Sequence, residues 1–207
     1  LVKDEVAISP NKKISTKILE AIGNENIIWR GQTTTMATYE QLKLAKESGC
    51  TELAFGVETV DDNVMKIIDK TWQNQKSIAR CIVDAKKVGI NVKICLILGL
   101  PGEKKDIANA TLEFLEKIKP DYASVSGFLP VPGSPIAKNF KKFGIKMIDT
   151  NWNKYSHLLY RFSDEEEVGL PFEFEEKTPW GKSLTNTEIK ENIIKVQKWL
   201  RENSMVY

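Results

Sequence analysis

Three short stretches of this 207-residue chain carry residue types that can hold a ligand. The first is Cys95-Leu96-Ile97-Leu98-Gly99-Leu100-Pro101-Gly102-Glu103, an apolar run that enters a Gly-Leu-Pro-Gly-Glu turn. Glycine there lets a bound group approach the backbone, proline stiffens the turn, and a helix opening beyond it offers unpaired N–H groups. The plainer reading is a tight strand-to-helix turn with Glu103 as a favourable first-turn acid. It is not a P-loop, because no Lys-Ser/Thr ending follows. The second stretch, Phe55-Gly56-Val57-Glu58-Thr59, puts a carboxylate directly after a strand. That carboxylate suits ribose hydroxyls or an ammonium group, or else favours the start of a helix near Asp61. The third, Phe128-Leu129-Pro130-Val131-Pro132-Gly133-Ser134, is a Pro/Gly loop or the wall of a site. Three such breaks at successive strand ends point to one ligand site on the C-terminal edge of a parallel sheet.

Other chemistries are poorly served. Cys50, Cys81 and Cys95 stand 31 and 14 residues apart, which is no metal-ligand spacing, and three is a poor number for a disulfide framework. They read as three buried, reduced thiols of a cytoplasmic protein. His157 is the only histidine, against a Ser-His-Asp or His-rich metal centre, and reads as structural or surface. The acidic run at residues 164–167 lacks ordered ligand spacing and reads as a solvated turn. A net charge of +2 implies neither nucleic acid nor an anionic membrane as partner. No apolar run is long enough to span a bilayer, and nothing resembles a signal peptide.

The elements that must position these residues alternate. Strands are predicted at residues 5–8, 26–29, 52–56, 92–98 and 122–128. Helices are predicted at residues 15–22, stopped by Gly23, from Thr38 to Gly49, and at 61–68, 75–88 and 106–118. The fourth strand is nearly all apolar, as when both faces are covered. Thr38 with Gln41, and Thr185 with Glu188, have capping-box spacing, the second opening a last helix. Its stripe of Ile189, Ile193, Val196, Trp199 and Leu200 should pack onto the sheet domain. Such alternation gives an α/β protein with a parallel sheet, open or closed as a (β/α) barrel. After Phe143 the sequence turns irregular and aromatic. The chain is long enough for one sizeable domain with a small appendage. Leu1, followed almost at once by a strand, suggests a fragment of something longer.

In combination these residues resemble the radical S-adenosylmethionine enzymes, nearest to the branch that carries an upstream cobalamin-binding domain. The resemblance runs from about Trp29 to Phe143. It rests on residues 40–50, 53–59, 67–70, Gly89-Ile90, 99–103 and 129–134. It implies a partial (β/α)6 TIM-like barrel, strands two to six, at residues 1–145, and a mainly helical extension with a final helix at 146–207. By the same likeness Gly56, Glu58 and Thr59 lie at the ribose or methionyl part of S-adenosylmethionine. Gly99, Pro101 and Gly102 line the adenosyl moiety, and the backbone of Phe128 and Leu129 meets the adenine. Ser9-Pro10-Asn11 would take the place of the segment that binds the methionine amino group, which it matches poorly.

The family's Cys-x3-Cys-x2-Cys loop, which ligates a 4Fe–4S cluster, has no counterpart here, so metal ligands are expected from none of these residues. The expectation is a chain inactive alone. It would complete a cytoplasmic radical SAM enzyme together with the upstream part of the same polypeptide, a reductant such as flavodoxin or ferredoxin, cobalamin through another domain, and a substrate the sequence does not specify. The alternative is a non-catalytic S-adenosylmethionine- or nucleotide-binding module with a degenerate barrel.

Overall fold

A computed structural model describes residue 8, residues 11–155 and residues 169–206. Its centre is a sheet of β1 (Trp29–Thr33), β2 (Cys50–Glu58), β3 (Asn91–Leu98) and β4 (Tyr122–Gly127), in chain order with every neighbour parallel. Ile8 continues it through a parallel bridge to Thr33. The predicted strand at residues 5–8 otherwise lies outside the described residues. Strand order that follows chain order is the arc of a (β/α) barrel, whereas a doubly wound sheet reverses its order at a switch point.

Between the strands run α1 (Lys12–Asn24), α2 (Tyr39–Glu47), α3 (Asp62–Ile67), α4 (Gln75–Lys87) and α5 (Ile107–Ile118). Their apolar faces bury one face of the sheet, with Leu53, Phe55, Val57, Val92, Ile94, Leu96 and Val125 in the core. The other face is only half-buried: Ala54, Gly56 and Glu58 on β2, Lys93, Cys95 and Ile97 on β3, Ser124 and Ser126 on β4. The expectation that β3 is covered on both faces is thus corrected, because the arc leaves its concave face open. Cys95 lies on that face and is half-buried, so only Cys50 and Cys81 of the three thiols are buried.

Two boundaries differ from the sequence reading. Helix α1 starts earlier, where Asn11 accepts the Ile14 N–H at 3.3 Å, and runs through Gly23. Its exit is Asn26, which takes the left-handed conformation (φ 53°) that asparagine tolerates. Residues 25–26 therefore form a turn, residues 27–28 follow without regular structure and with Ile28 exposed, and the strand begins at Trp29, whose indole N–H donates to the Ser48 carbonyl at 2.9 Å. Both predicted capping boxes form.

Beyond β4 come the one-turn helix α6 (Pro135–Lys138) and two antiparallel pairs. β5 (Ile145–Ile148) joins β6 (Phe172–Phe174), and β7 (Lys177–Thr178) joins β8 (Gly181–Lys182). The last helix, α7 (Asn186–Glu202), buries Ile189, Ile193, Val196 and Leu200 against β4 and α5, with Trp199 half-buried. The extension thus holds its predicted helix and, in addition, short strands that sequence periodicity did not show. His157 and residues 164–167 lie outside the described residues. Among the described residues no helix is long and apolar enough to cross a membrane.

Candidate functional site

The end of β2 is built around a bulge. Gly56 pairs with Cys95 and Glu58 with Leu96, so Val57 is the extra residue. Glu58 takes a left-handed backbone (φ 64°), which costs a non-glycine residue about 1–2 kcal/mol. Lys70 compensates: its ammonium lies 2.8 Å from Glu58 Oε1 and donates to the Gly56 carbonyl at 3.1 Å, with both side chains 22% exposed. Capping of α3, one reading of Glu58, falls instead to Asp61, whose Oδ1 accepts the N–H groups of Asn63 and Val64. Thr59 is buried, and its hydroxyl accepts the Asp61 N–H at 3.2 Å, so Glu58 is the residue of that pair presented at the edge. Buried Gln73 ties the edge together, donating to the Val57 carbonyl at 2.8 Å and accepting from the Thr35 hydroxyl at 2.7 Å.

The turn after β3 differs from its sequence reading in two ways. Helix α5 opens only at Ile107, and Asp106 makes no side-chain cap. Glu103 is therefore not a first-turn acid. It is 2% exposed beneath the turn, where its Oε2 accepts the Gly99 N–H at 2.6 Å and its own N–H donates to the Leu100 carbonyl at 3.2 Å. Its Oε1 is buried without a hydrogen-bond partner among the described residues. Burial pushes the carboxyl group up to about 8, against the pull of the Gly99 and Leu100 N–H groups, and the Asp61 charge adds to the rise.

The glycines of that turn make room for protein. Gly99 and Gly102 have φ of +89° and +87°. A Cβ on Gly99 would lie 2.8 Å from Ile189 Cγ2 of α7. On Gly102 it would lie 2.3 Å from Ile67 Cδ1 and 3.6 Å from Trp180 Cγ. On their Cβ side the space these glycines leave is occupied by α7, α3 and the β7–β8 turn. Pro101 is buried with Gly99, and Gly102 is half-buried.

At the end of β4 the Phe128 N–H donates to the Leu98 carbonyl at 2.8 Å, fastening the third strand end to the second. The Phe128 ring is buried edge-on against Phe172, with centroids 5.2 Å apart. Half-buried Leu129 accepts the Val131 N–H at 2.8 Å, and Ser134 caps α6 through the Ala137 N–H. All three predicted strand ends therefore stand on adjacent strands of one edge. Lys70 and Gln73 were not singled out as site residues. Lys70 fell within the family resemblance, but its pairing with Glu58 depends on the bulge. Of Ser9-Pro10-Asn11 only Asn11 is described, as the α1 cap.

The thiols do not fit an iron–sulfur cluster. Cys50 and Cys81 are buried on the helix side of the sheet, and burial pushes both thiols up to about 12. Among the described residues no group of three or more His, Cys, Asp or Glu side chains could hold a metal ion.

The profile of the Radical SAM superfamily matches residues 5–115, a span that includes the first two strand ends. An uncharacterized methyltransferase of Pyrococcus horikoshii is 30% identical over 75% of this chain and 35% of its own length. The bacteriochlorophyllide d C-12(1)-methyltransferase of Chlorobaculum tepidum is 20% identical over 98% of this chain and 40% of its own length. The chain thus spans well under half of these curated relatives. Among solved structures, the radical S-adenosylmethionine methyltransferase TsrM of Kitasatospora setae superposes with a TM-score of 0.55 at 14% identity, over 66% of this chain and 30% of that one, a likeness of fold.

Proposed function

This chain belongs to the Radical SAM superfamily, and from that premise we propose that it forms the S-adenosylmethionine cleft of a larger enzyme. The observation that carries this reading is the Glu58–Lys70 pair beside the hydrogen-bonded ends of β3 and β4. S-adenosylmethionine joins an α-amino acid to a nucleoside, so it presents an ammonium, a carboxylate, ribose hydroxyls and an apolar base. Glu58 suits the ribose hydroxyls or the ammonium, and Lys70 the carboxylate. Gly56 and Thr59 shape that corner, Gly99, Pro101 and Gly102 line the adenosyl moiety, and the backbone of Phe128 and Leu129 meets the adenine. Residues 1–145 would form the partial barrel and residues 146–207 the extension that closes over it.

When bound next to a reduced 4Fe–4S cluster, the cofactor supplies a sulfonium bond that one electron cleaves. This chain's thiols do not fit such a cluster, so its ligands belong to residues outside the chain, and the chain alone is inactive. The two methyltransferases among its relatives support methyl transfer, with cobalamin held by a further domain. The reductant would be a flavodoxin or ferredoxin, in the cytoplasm.

Calorimetric titration with S-adenosylmethionine tests the site. Binding should weaken at least about tenfold in Glu58→Gln, which loses a charge-assisted hydrogen bond worth about 1.5–3 kcal/mol. Equal affinity in wild type and Glu58→Gln refutes this placement. Anaerobic reconstitution with iron and sulfide should leave the chain without the absorbance of a 4Fe–4S cluster, and cofactor cleavage by the chain alone would overturn the assignment. If the full-length protein bound S-adenosylmethionine but never cleaved it, the alternative of a non-catalytic binding module would replace this reading.

A further inference from the structure

Glu103 belongs to no step described so far, yet it is the most deeply buried acid of the described residues, and among them one of its oxygens has no partner. Its side chain closes the β3 turn from beneath through Gly99, and its backbone N–H closes it again through Leu100. The residue before Gly99 is Leu98, whose carbonyl holds the Phe128 N–H. One continuous path of hydrogen bonds and backbone thus runs from Glu103 through the β3 turn to the end of β4.

Among the described residues no cation pairs with this acid. Helix α3 carries Asp62 and Lys66, and Asp61 caps it. Asp61 raises the acid's affinity for its proton, and Asp62 accepts the Gln75 N–H. Lys104 donates to the Trp180 carbonyl at 2.6 Å, and Lys105 pairs with Glu188 of α7 at 3.2 Å. Lys177 and Lys182 lie on β7 and β8. Glu103 makes no ion pair with any of these among the described residues. The parts nearest the turn are apolar: Ile67, Trp180 and Ile189.

We propose that Glu103 is a proton-gated latch of the turn at residues 99–102, a positioning residue that holds both the β3 and β4 walls while its carboxyl group is neutral. This deepens the S-adenosylmethionine reading and rests on it only for the identity of the ligand. In the neutral acid, Oε2 accepts the Gly99 N–H and Oε1 carries the proton. Loss of that proton to solvent leaves a buried anion with one unpartnered oxygen and Asp61 as neighbour, a state that burial strongly disfavours. The carboxylate must then draw in water or swing outward, and either movement releases Gly99.

The test needs no variant in its first arm. The Gly99 amide resonance of the ligand-free, isotopically labelled protein is followed from pH 6 to 9.5. It should titrate with a midpoint near the value of about 8 set by burial, and should not titrate in Glu103→Gln, which keeps an acceptor for the Gly99 N–H and cannot ionise. S-adenosylmethionine affinity is then measured across the same range. One pH unit above the midpoint only about a tenth of the carboxyl groups keep their proton, so wild-type affinity should fall about tenfold while Glu103→Gln stays level. A Gly99 resonance that does not move in this window overturns the latch, as does a wild-type titration that persists in Glu103→Gln. If Gly99 titrates as stated but S-adenosylmethionine binds at no pH, the latch stands and the ligand reading falls.

Discussion

Replacing Gly99 with alanine probes whether α7 sets the shape of the strand-end turn. The backbone at Gly99 has φ +89°, which costs an L-residue about 1–2 kcal/mol. The new Cβ would lie 2.8 Å from Ile189 Cγ2 and within 3.6 Å of its Cδ1 and Cγ1, so it meets the whole branched side chain. Ile189 is fully buried in the first turns of α7, so overpacking it adds about 1–3 kcal/mol. Alanine returns about 0.4–1 kcal/mol by narrowing the unfolded ensemble. The expected net loss is about 3 kcal/mol. Urea unfolding followed by tryptophan fluorescence measures it, and Ile189→Ala supplies the control. In the Ile189→Ala background the steric part vanishes, so Gly99→Ala should cost only the backbone part, a coupling of about 1–3 kcal/mol. Equal costs in both backgrounds, or a loss under about 1 kcal/mol in the parent, would refute the packing argument.

Gln73→Leu removes the partner of the buried Thr35 hydroxyl and a donor to the Val57 carbonyl, which also accepts the Thr59 N–H. A loss of about 1–3 kcal/mol by urea unfolding is expected, with S-adenosylmethionine binding weakened because the loop after β1 is no longer tied to β2. Cys50 and Cys81 should resist iodoacetamide at pH 8 until the protein is unfolded, as counted by mass spectrometry. Because burial raises both thiols to about 12 from 9.0, the folded state keeps protons there that the unfolded state loses. Stability should therefore fall as pH rises from about 9 to 12, and the Cys50→Ala, Cys81→Ala double variant should flatten that decline.

The parallel α/β arc was legible because each strand–helix unit carries its own signal, an apolar strand followed by an amphipathic helix. The capping boxes at Thr38 and Thr185 were legible because both partners lie within three residues. β1 was misplaced because Trp-Arg-Gly-Gln-Thr is a polar strand, held by the backbone of β2 and by the Trp29–Ser48 bond rather than by its own propensity. Glu103 reads locally as a helix-opening acid; the late start of α5 at Ile107 and the bond from the Gly99 N–H, which place it beneath the turn, carry no local sequence signal. The Lys70–Glu58 pair is hidden for a related reason, since it spans 12 residues and needs the bulge at Val57 to bring the two side chains together.

These misses share a cause that bears on how the edge works. Sequence spacing treats the glycines at 99 and 102 as openings toward a ligand, yet the space they leave is filled by Ile189, Ile67 and Trp180, two of which lie in the C-terminal extension. The same extension seats Phe172 on Phe128 and ends with the Met205 carbonyl accepting the Ala123 N–H of β4 at 2.9 Å. The strand ends are thus shaped from behind by residues far along the chain, and what faces outward is backbone, Glu58 and Lys70. An edge whose glycines are already filled on the protein side can bind only in the shape that packing imposes. Changes in the extension should therefore alter affinity for a ligand they never touch.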